Sequence, residues 1–292
     1  MLLLQLLLNG LVTAGIYALL AIGFGMVYRS LRFFHIAYGA VYTAGAYILY
    51  VFYCKLGFPL VIAIFLGIAF SVILGILMDT IAYLPLEKKG ATASVLFIAS
   101  LGTYIAIVNL IALLFGNEVK VVLEGIQPSF NIGPLILTRL QAIQFIVAWG
   151  TVLLFWLAIR KNLTIKALWA MGEAPVLLKV LGFSWKRLRI YAFGISSAIA
   201  ALASILVALD VGIDPHVGMH AILTGAVAML VGGMENYWAW VGGAFLLAMC
   251  QALSIWKFSA RWQDALTFAI LILTLLFRPQ GLFSPLKRRE ER

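Results

Sequence analysis

Two histidines four residues apart, His216 and His220 in DPHVGMH, have the spacing that puts two imidazoles on one helical face. A metal pair could form there; the plainer reading is two interfacial histidines near the start of an outer helix after Pro215. Cys54 and Cys250 stand in unrelated apolar contexts without CxxC or Cys/His spacing, which supports neither a disulfide nor a metal site. No lysine precedes Ser or Thr, so no phosphate-cradling GxxxxGK[ST] loop occurs; HExxH and GxSxG are absent too. The expectation is no catalytic residue, no metal, and no cofactor held by this chain. Asp79 and Asp210 lie near the ends of apolar segments, and the segment centres carry almost no charge. Ion-driven carriers commonly keep intramembrane carboxylates because burying charge is costly. Energy for uphill transport is therefore expected from outside the chain, although sodium bound by neutral ligands would need no such carboxylate.

The elements that must position these residues are apolar. Of 292 residues, 64% are hydrophobic and 11% charged, against about 45–50% and 25% in soluble domains. Mean hydropathy is +1.07. There is too little polar surface for a water-facing globule, which excludes a cytosolic enzyme, a nucleic-acid-binding domain and a disordered chain. A helical span needs roughly 20 apolar residues. The expected fold is an all-α polytopic membrane protein with about eight to nine transmembrane helices, at 4–28, 35–53, 58–83, 92–116, 140–159, 190–210, 219–233, 239–256 and 264–277. The second is expected to be broken and the Gly-rich seventh to be a half-span or re-entrant. The opening apolar run lacks the basic n-region of a signal peptide and reads as a retained first span.

The net charge of +10 reads as basic loops on the cytoplasmic side rather than nucleic-acid binding. All but Lys55, Lys120, Arg139, Lys257 and Arg261 of the 21 lysines and arginines fall on one set of loops. That bias puts the N-terminus outside and the C-terminus in the cytoplasm. Residues 1–292 read as a single transmembrane domain with an ordered outer loop at 117–139, an inner loop at 160–189 and a cytoplasmic tail at 278–292. The inner loop is amphipathic, with Leu168, Met171, Val176, Leu178, Val180 and Leu181 at helical spacing. Paired glycines such as Gly232 and Gly233 either let helices approach closely or unwind backbone to line a pathway.

The order of short motifs resembles the LivH-type permease family of branched-chain amino-acid ABC importers. The resemblance begins in NGLVTAGIYALLAIGFGMVY and continues through Ala37, Gly39, Tyr42 and Gly45, IAYLPL at 81–86 and ASLGTY at 99–104. It ends with Asp214-Pro215-His216-Val217-Gly218, Gly232-Gly233, Val241-Gly242-Gly243-Ala244 and FRPQGLF at 277–283. It covers nearly the whole chain; each motif is soft and the collinear order is the specific part. The family's NFAHG-like stretch is replaced by His35-Ile36-Ala37-Tyr38-Gly39, and bulkier residues follow Gly233.

The resemblance implies one of two permease subunits, presumed a heterodimer by analogy, with two cytoplasmic ATPases that bind ATP and Mg and an extracytoplasmic substrate-binding protein. The solute would be a branched-chain amino acid or a similar small zwitterionic or neutral molecule. The inner loop resembles the family's ATPase-coupling loop at Ala170, Glu173, Leu181 and Gly182. Its short helix within 168–181 is expected to seat its apolar residues in the ATPase, with Glu173, Lys179 and Arg187 as rim ion pairs. A helix lying on anionic lipid is the plainer reading. Pathway candidates are Asn9, Thr13, Tyr17, His35, Tyr38, Tyr42, Ser100, Thr103, Asn109, Gly232 and Gly233, a lining with no fixed charge. The alternatives are a urea or short-chain amide ABC permease, a sodium-driven secondary carrier, and a purely structural membrane subunit. No nucleic acid is expected as a partner.

Overall fold

The structure is a computed structural model and describes residues 2–123, 125, 128–132, 135–172, 175–234, 236–257 and 259–283. Six helices in it are long and apolar enough to cross a membrane: Leu3–Leu31, Leu60–Lys88, Ala93–Phe115, Arg139–Lys161, Trp185–Val211 and Tyr237–Lys257. Shorter apolar helices cover Val217–Gly232 and Gln263–Phe277. The chain is an all-α polytopic membrane protein.

Helix α1 (Leu2–Leu31) is apolar on every face, the pattern of a helix surrounded by protein. It runs through the middle of the bundle and packs on α6 (Arg139–Lys161), α9 (Trp185–Val211), α10 (Val217–Gly232) and α11 (Tyr237–Lys257). Ala14, Ala18, Leu19, Ala21 and Phe24 are fully buried along it. After a non-helical stretch, α2 (Tyr38–Tyr50) runs on through a π-helical turn, Val51–Lys55. The expected break in the second span is therefore at its start, before Tyr38. Helix α3 (Leu60–Met78) passes through a second π turn, Asp79–Tyr83, into α4 (Leu84–Lys88). Helix α5 spans Ala93–Phe115, and α12 spans Gln263–Phe277. The seventh expected span is one continuous helix of 16 residues, α10, shorter than the six long ones.

Local chemistry sets the boundaries. Thr138 caps α6 by accepting from the Gln141 N–H, and the Gln141 side chain accepts from the Thr138 N–H, closing a capping box. Helix α9 ends at Gly212 (φ +90) and α10 at Gly233 (φ +119), left-handed positions that suit glycine. The segment between α5 and α6 contains an antiparallel pair of strands, β1 (Ser129–Ile132) and β2 (Leu135–Thr138), with Ser129 opposite Thr138. The Gln5 amide exchanges two hydrogen bonds with Ile136 on its edge, 2.8 and 3.0 Å, fastening the strand pair to the start of α1. Lys120 and Ile213 exchange backbone hydrogen bonds of 2.7 and 2.9 Å, tying the segment after α5 to the α9–α10 turn. This end of the bundle is called the strand-pair end below.

The inner loop holds two short helices, α7 (Leu163–Ala170) and α8 (Pro175–Val180). Helix α7 is docked against the bundle. The Arg29 Nε donates to the Trp169 carbonyl at 3.1 Å and the Ser30 hydroxyl to the Leu168 carbonyl at 3.3 Å. The Arg29 guanidinium also lies over the Trp169 ring, 4.6 Å from its centroid.

Candidate functional site

Periodicity builds one cavity at the strand-pair end. Thr13, Ile16, Tyr17 and Leu20 recur on one face of α1, and Val217, His220, Ala221 and Thr224 on one face of α10. With Val12, Tyr42 of α2, Gln144 of α6, and Val207, Asp210 and Val211 of α9, they enclose about 260 Å³. That is below the roughly 300–1,000 Å³ of pockets for drug-sized ligands, and suits a small solute. α1 can approach α10 closely because Gly225 lies against Leu20. Near the start of α10, Gly218 meets the carbonyl of Gly39 on α2, where a Cβ would have no room.

The lining divides chemically. One part is aliphatic: Val12, Ile16, Leu20, Val207, Val211, Val217 and Ala221. The other holds Asp210, whose carboxylate faces the Gln144 amide and is open to the cavity mouth. Gln144 is buried and also donates to the Leu206 carbonyl at 2.8 Å, which fixes its orientation. The His220 Nε2 stands 2.9 Å from Asp264 at the start of α12. The Thr13 and Thr224 hydroxyls donate back to the carbonyls of Asn9 (3.0 Å) and His220 (2.9 Å), which leaves their lone pairs to accept. The Tyr17 hydroxyl donates to Gln251 Oε1 at 2.7 Å, and Gln251 Nε2 to Thr267 Oγ1 at 2.5 Å. No lysine or arginine is among the lining residues. An ammonium can be met at Asp210 while an apolar group lies against the valines.

Of the pathway candidates, Thr13, Tyr17 and Tyr42 line this cavity. Asn9 sits one turn away, accepting from Gln5 at 3.2 Å. His35 is 2% exposed, with its ring edge-on to Phe33, Tyr83 and Phe193, and its Nδ1 has no hydrogen-bond partner. The Tyr38 hydroxyl is buried against Gly23. Ser100 accepts from the Ile36 N–H (3.2 Å) and donates to the Phe97 carbonyl (2.8 Å). Thr103 and Asn109 donate to carbonyls of their own helix. Gly232 packs on Ala239 and Gly243, and Gly233 ends α10; the Leu282 and Phe283 N–H groups donate to the Val231 and Gly232 carbonyls at 2.9 and 3.0 Å. The paired glycines thus serve close packing and a helix stop.

Four polar lining residues, Gln144, Asp210, His220 and Thr224, are absent from the sequence-derived pathway set. A carboxylate at a helix end was the available signal for Asp210; an amide in an apolar helix does not show which surface it faces. Asp210 gives this cavity a carboxylate, whereas the sequence-derived pathway set holds no fixed charge.

The inner loop also differs from expectation. Leu168, Met171 and Leu178 are buried within this chain, so they cannot seat in a partner. The outward apolar ridge belongs to α8 and its end: Val176, Leu177, Val180 and Leu181 are 74, 57, 78 and 62% exposed. Gly182 (φ +81) ends α8, with the Phe183 N–H donating to the Leu178 carbonyl at 3.0 Å in a 6→1 closure. Ala170 is half-buried at the end of α7. Glu173 and the Lys179 side chain lie outside the described residues.

A further correction concerns charge in the bundle. Arg189, read as a loop residue, belongs to α9 and is 1% exposed. Its Nε donates to Asp79 Oδ1 and Oδ2 at 2.6 and 2.8 Å, and its Nη1 to Glu87.

Residues 6–275 match the family model described as branched-chain amino acid transport system / permease component. The chain is 28% identical, over 96% of its length and 95% of the relative's, to the high-affinity branched-chain amino acid transport system permease protein BraD of Pseudomonas aeruginosa. It is 28% identical to the LivH permease protein of Escherichia coli, covering 96% of this chain and 94% of that one. Identity is 23% to the probable branched-chain amino acid transport permease protein LivH of Methanocaldococcus jannaschii, covering 94% and 90%. Among solved structures, PsaBC from Streptococcus pneumoniae in complex with Fab shares the fold, with a TM-score of 0.55, 16% identity, and 93% and 91% of the two chains covered.

Proposed function

Because this chain belongs to the permease-component family of branched-chain amino acid transport systems, we propose that it is the conduit of an ATP-driven importer for branched-chain amino acids or similar small zwitterions. The observation that carries the solute class is the divided cavity: one carboxylate, Asp210, beside an aliphatic wall. A neutral amide such as urea would leave that carboxylate without a counter-charge, so the cavity favours a solute with an ammonium group.

Residues 1–292 act as a single transmembrane permease domain in the cytoplasmic (inner) membrane. The basic α7–α8 side faces the cytoplasm, and the strand-pair end faces outward, where a binding protein delivers solute. The N-terminus is then outside and the C-terminus inside. The other subunits are a second permease, two ATPases that carry ATP and Mg, and the binding protein. The ridge of Val176, Leu177, Val180 and Leu181 is the surface that seats in an ATPase, with Ala170 and Gly182 setting the ends of the two short helices; Glu173, Lys179 and Arg187 are the charges assigned to pair with that partner. Solute passes Thr13, Tyr17, Tyr42, Gln144, Asp210 and His220. Asn9, His35, Tyr38, Ser100, Thr103, Gly232 and Gly233 hold the packing around that route.

The test is uptake of radiolabelled leucine into proteoliposomes holding the whole assembly. Accumulation that requires ATP and the binding protein is expected. Uphill uptake by this chain alone on a sodium gradient would overturn the reading.

A further inference from the structure

The cluster of Arg189, Asp79 and Glu87 is buried, charged, and far along α9 from the cavity. Arg189 lies in the second turn of α9; Asp79 opens the π turn between α3 and α4, and Glu87 lies in α4. Asp79 and Arg189 are each 1% exposed, and Glu87 reaches the surface. Next to the cluster, Phe193 stacks on Tyr83 (5.9 Å between centroids) and lies edge-on to His35 (5.3 Å). Three elements meet here: α9, the α3–α4 hinge, and the stretch joining α1 to α2.

The connectivity gives this cluster a use. Helix α9 starts three residues after Gly182, where the α8 ridge ends, and its far end supplies Val207, Asp210 and Val211 to the cavity wall. One unbroken helix of 27 residues therefore joins the coupling surface to the solute cavity. Apolar packing alone would let α9 slide or roll against α3. A guanidinium forked between two carboxylates fixes orientation as well as distance. A buried pair also resists separation, because parting it leaves an uncompensated charge. The π turn at Asp79–Tyr83 has the widened i→i+5 bonding at which helices bend.

We propose that Arg189 is a positioning residue for transport: clamped to Asp79 and Glu87, it makes α9 and α4 move as one body about the π turn, so that displacement of α8 reaches the cavity wall. This rests on the reading of the chain as an ATP-driven permease.

The test uses the whole assembly in proteoliposomes, with ATP hydrolysis, leucine uptake and the amount of assembled complex measured together. R189Q is expected to keep hydrolysis within about twofold of wild type while uptake falls at least tenfold. R189K, which keeps the charge without the fork, should fall between. The neutral triple variant R189Q/D79N/E87Q removes any folding defect caused by unpaired carboxylates, and its uptake per ATP should stay low. A wild-type ratio in R189Q overturns the proposal. So does recovery of the ratio in the triple variant, or a fall in uptake that only follows the amount of complex. A wild-type assembly without ATP-dependent uptake would overturn the functional reading and this proposal together; an active wild type with an unaltered R189Q removes the proposal alone.

Discussion

Asp79 and Asp210 are both carboxylates near the end of a long apolar helix, and they have opposite surroundings. Asp79 is closed in on itself: both oxygens face the Arg189 Nε, and almost no surface remains. Asp210 has an amide beside it and an open cavity in front. A carboxylate fully neutralised within the chain has nothing left to offer a ligand, and it holds helices in place. One left exposed to a small cavity attracts a cation. Residue type and distance from the helix end are alike; the partners decide the role.

The comparison can be broken in order of expected effect. Replacing Arg189 by Met would leave Asp79 buried without its partner, a loss of about 3–5 kcal/mol for a buried pair broken on one side; thermal unfolding of the purified complex in detergent should show it as a large drop in midpoint. Next, Asp210→Asn is expected to lower leucine uptake about tenfold, since a hydrogen bond to a charged group contributes about 1.5–3 kcal/mol and solvent at the cavity mouth reduces it. Competition assays sharpen that result. The deaminated analogue, an anion that Asp210 repels, should compete at least as well against the variant as against wild type, whereas leucine should compete less well against the variant; equal leucine competition would remove Asp210 from solute recognition.

Tyr17→Phe tests the cavity wall more gently. Losing the hydrogen bond to Gln251 should cost about 0.5–1.5 kcal/mol of stability, read as a small drop in the unfolding midpoint of the purified complex. The smallest effect is expected at the exposed His220–Asp264 pair. Asp264→Asn should change uptake by less than about twofold, because surface ion pairs contribute about 0–1 kcal/mol. A tenfold change there would show that the cavity mouth, and not Asp210, controls access.

Much of the architecture was legible. The apolar segments expected at 58–83, 92–116, 140–159, 190–210, 239–256 and 264–277 correspond to α3 with its π turn, α5, α6, α9, α11 and α12 within a few residues. Long apolar runs bounded by Gly, Pro or charge leave little ambiguity once the surroundings are lipid. The site was less legible. Tyr17 and Tyr42, singled out in the sequence, line the cavity, but Gln144 could not be found by spacing, because an amide in an apolar helix looks the same whether it faces lipid, a neighbouring helix or a cavity. For α7 the same ambiguity applied to Leu168 and Met171: helical periodicity shows that a stripe will be covered, not by which surface.

Composition and order by themselves determined that the chain lives in a bilayer, where its long apolar helices lie, and which family it joins, since these depend on summed hydrophobicity and on motifs read along the chain. Only the tertiary structure decided that Arg189 leaves the basic loops for the bundle interior, that α8 and not α7 carries the outward ridge, and that Asp210 opens on a cavity while Asp79 does not. Those outcomes depend on which side chains meet across elements more than a hundred residues apart, such as Asp79 and Arg189. A charge is settled by its neighbours in space, and periodicity along one helix does not contain them.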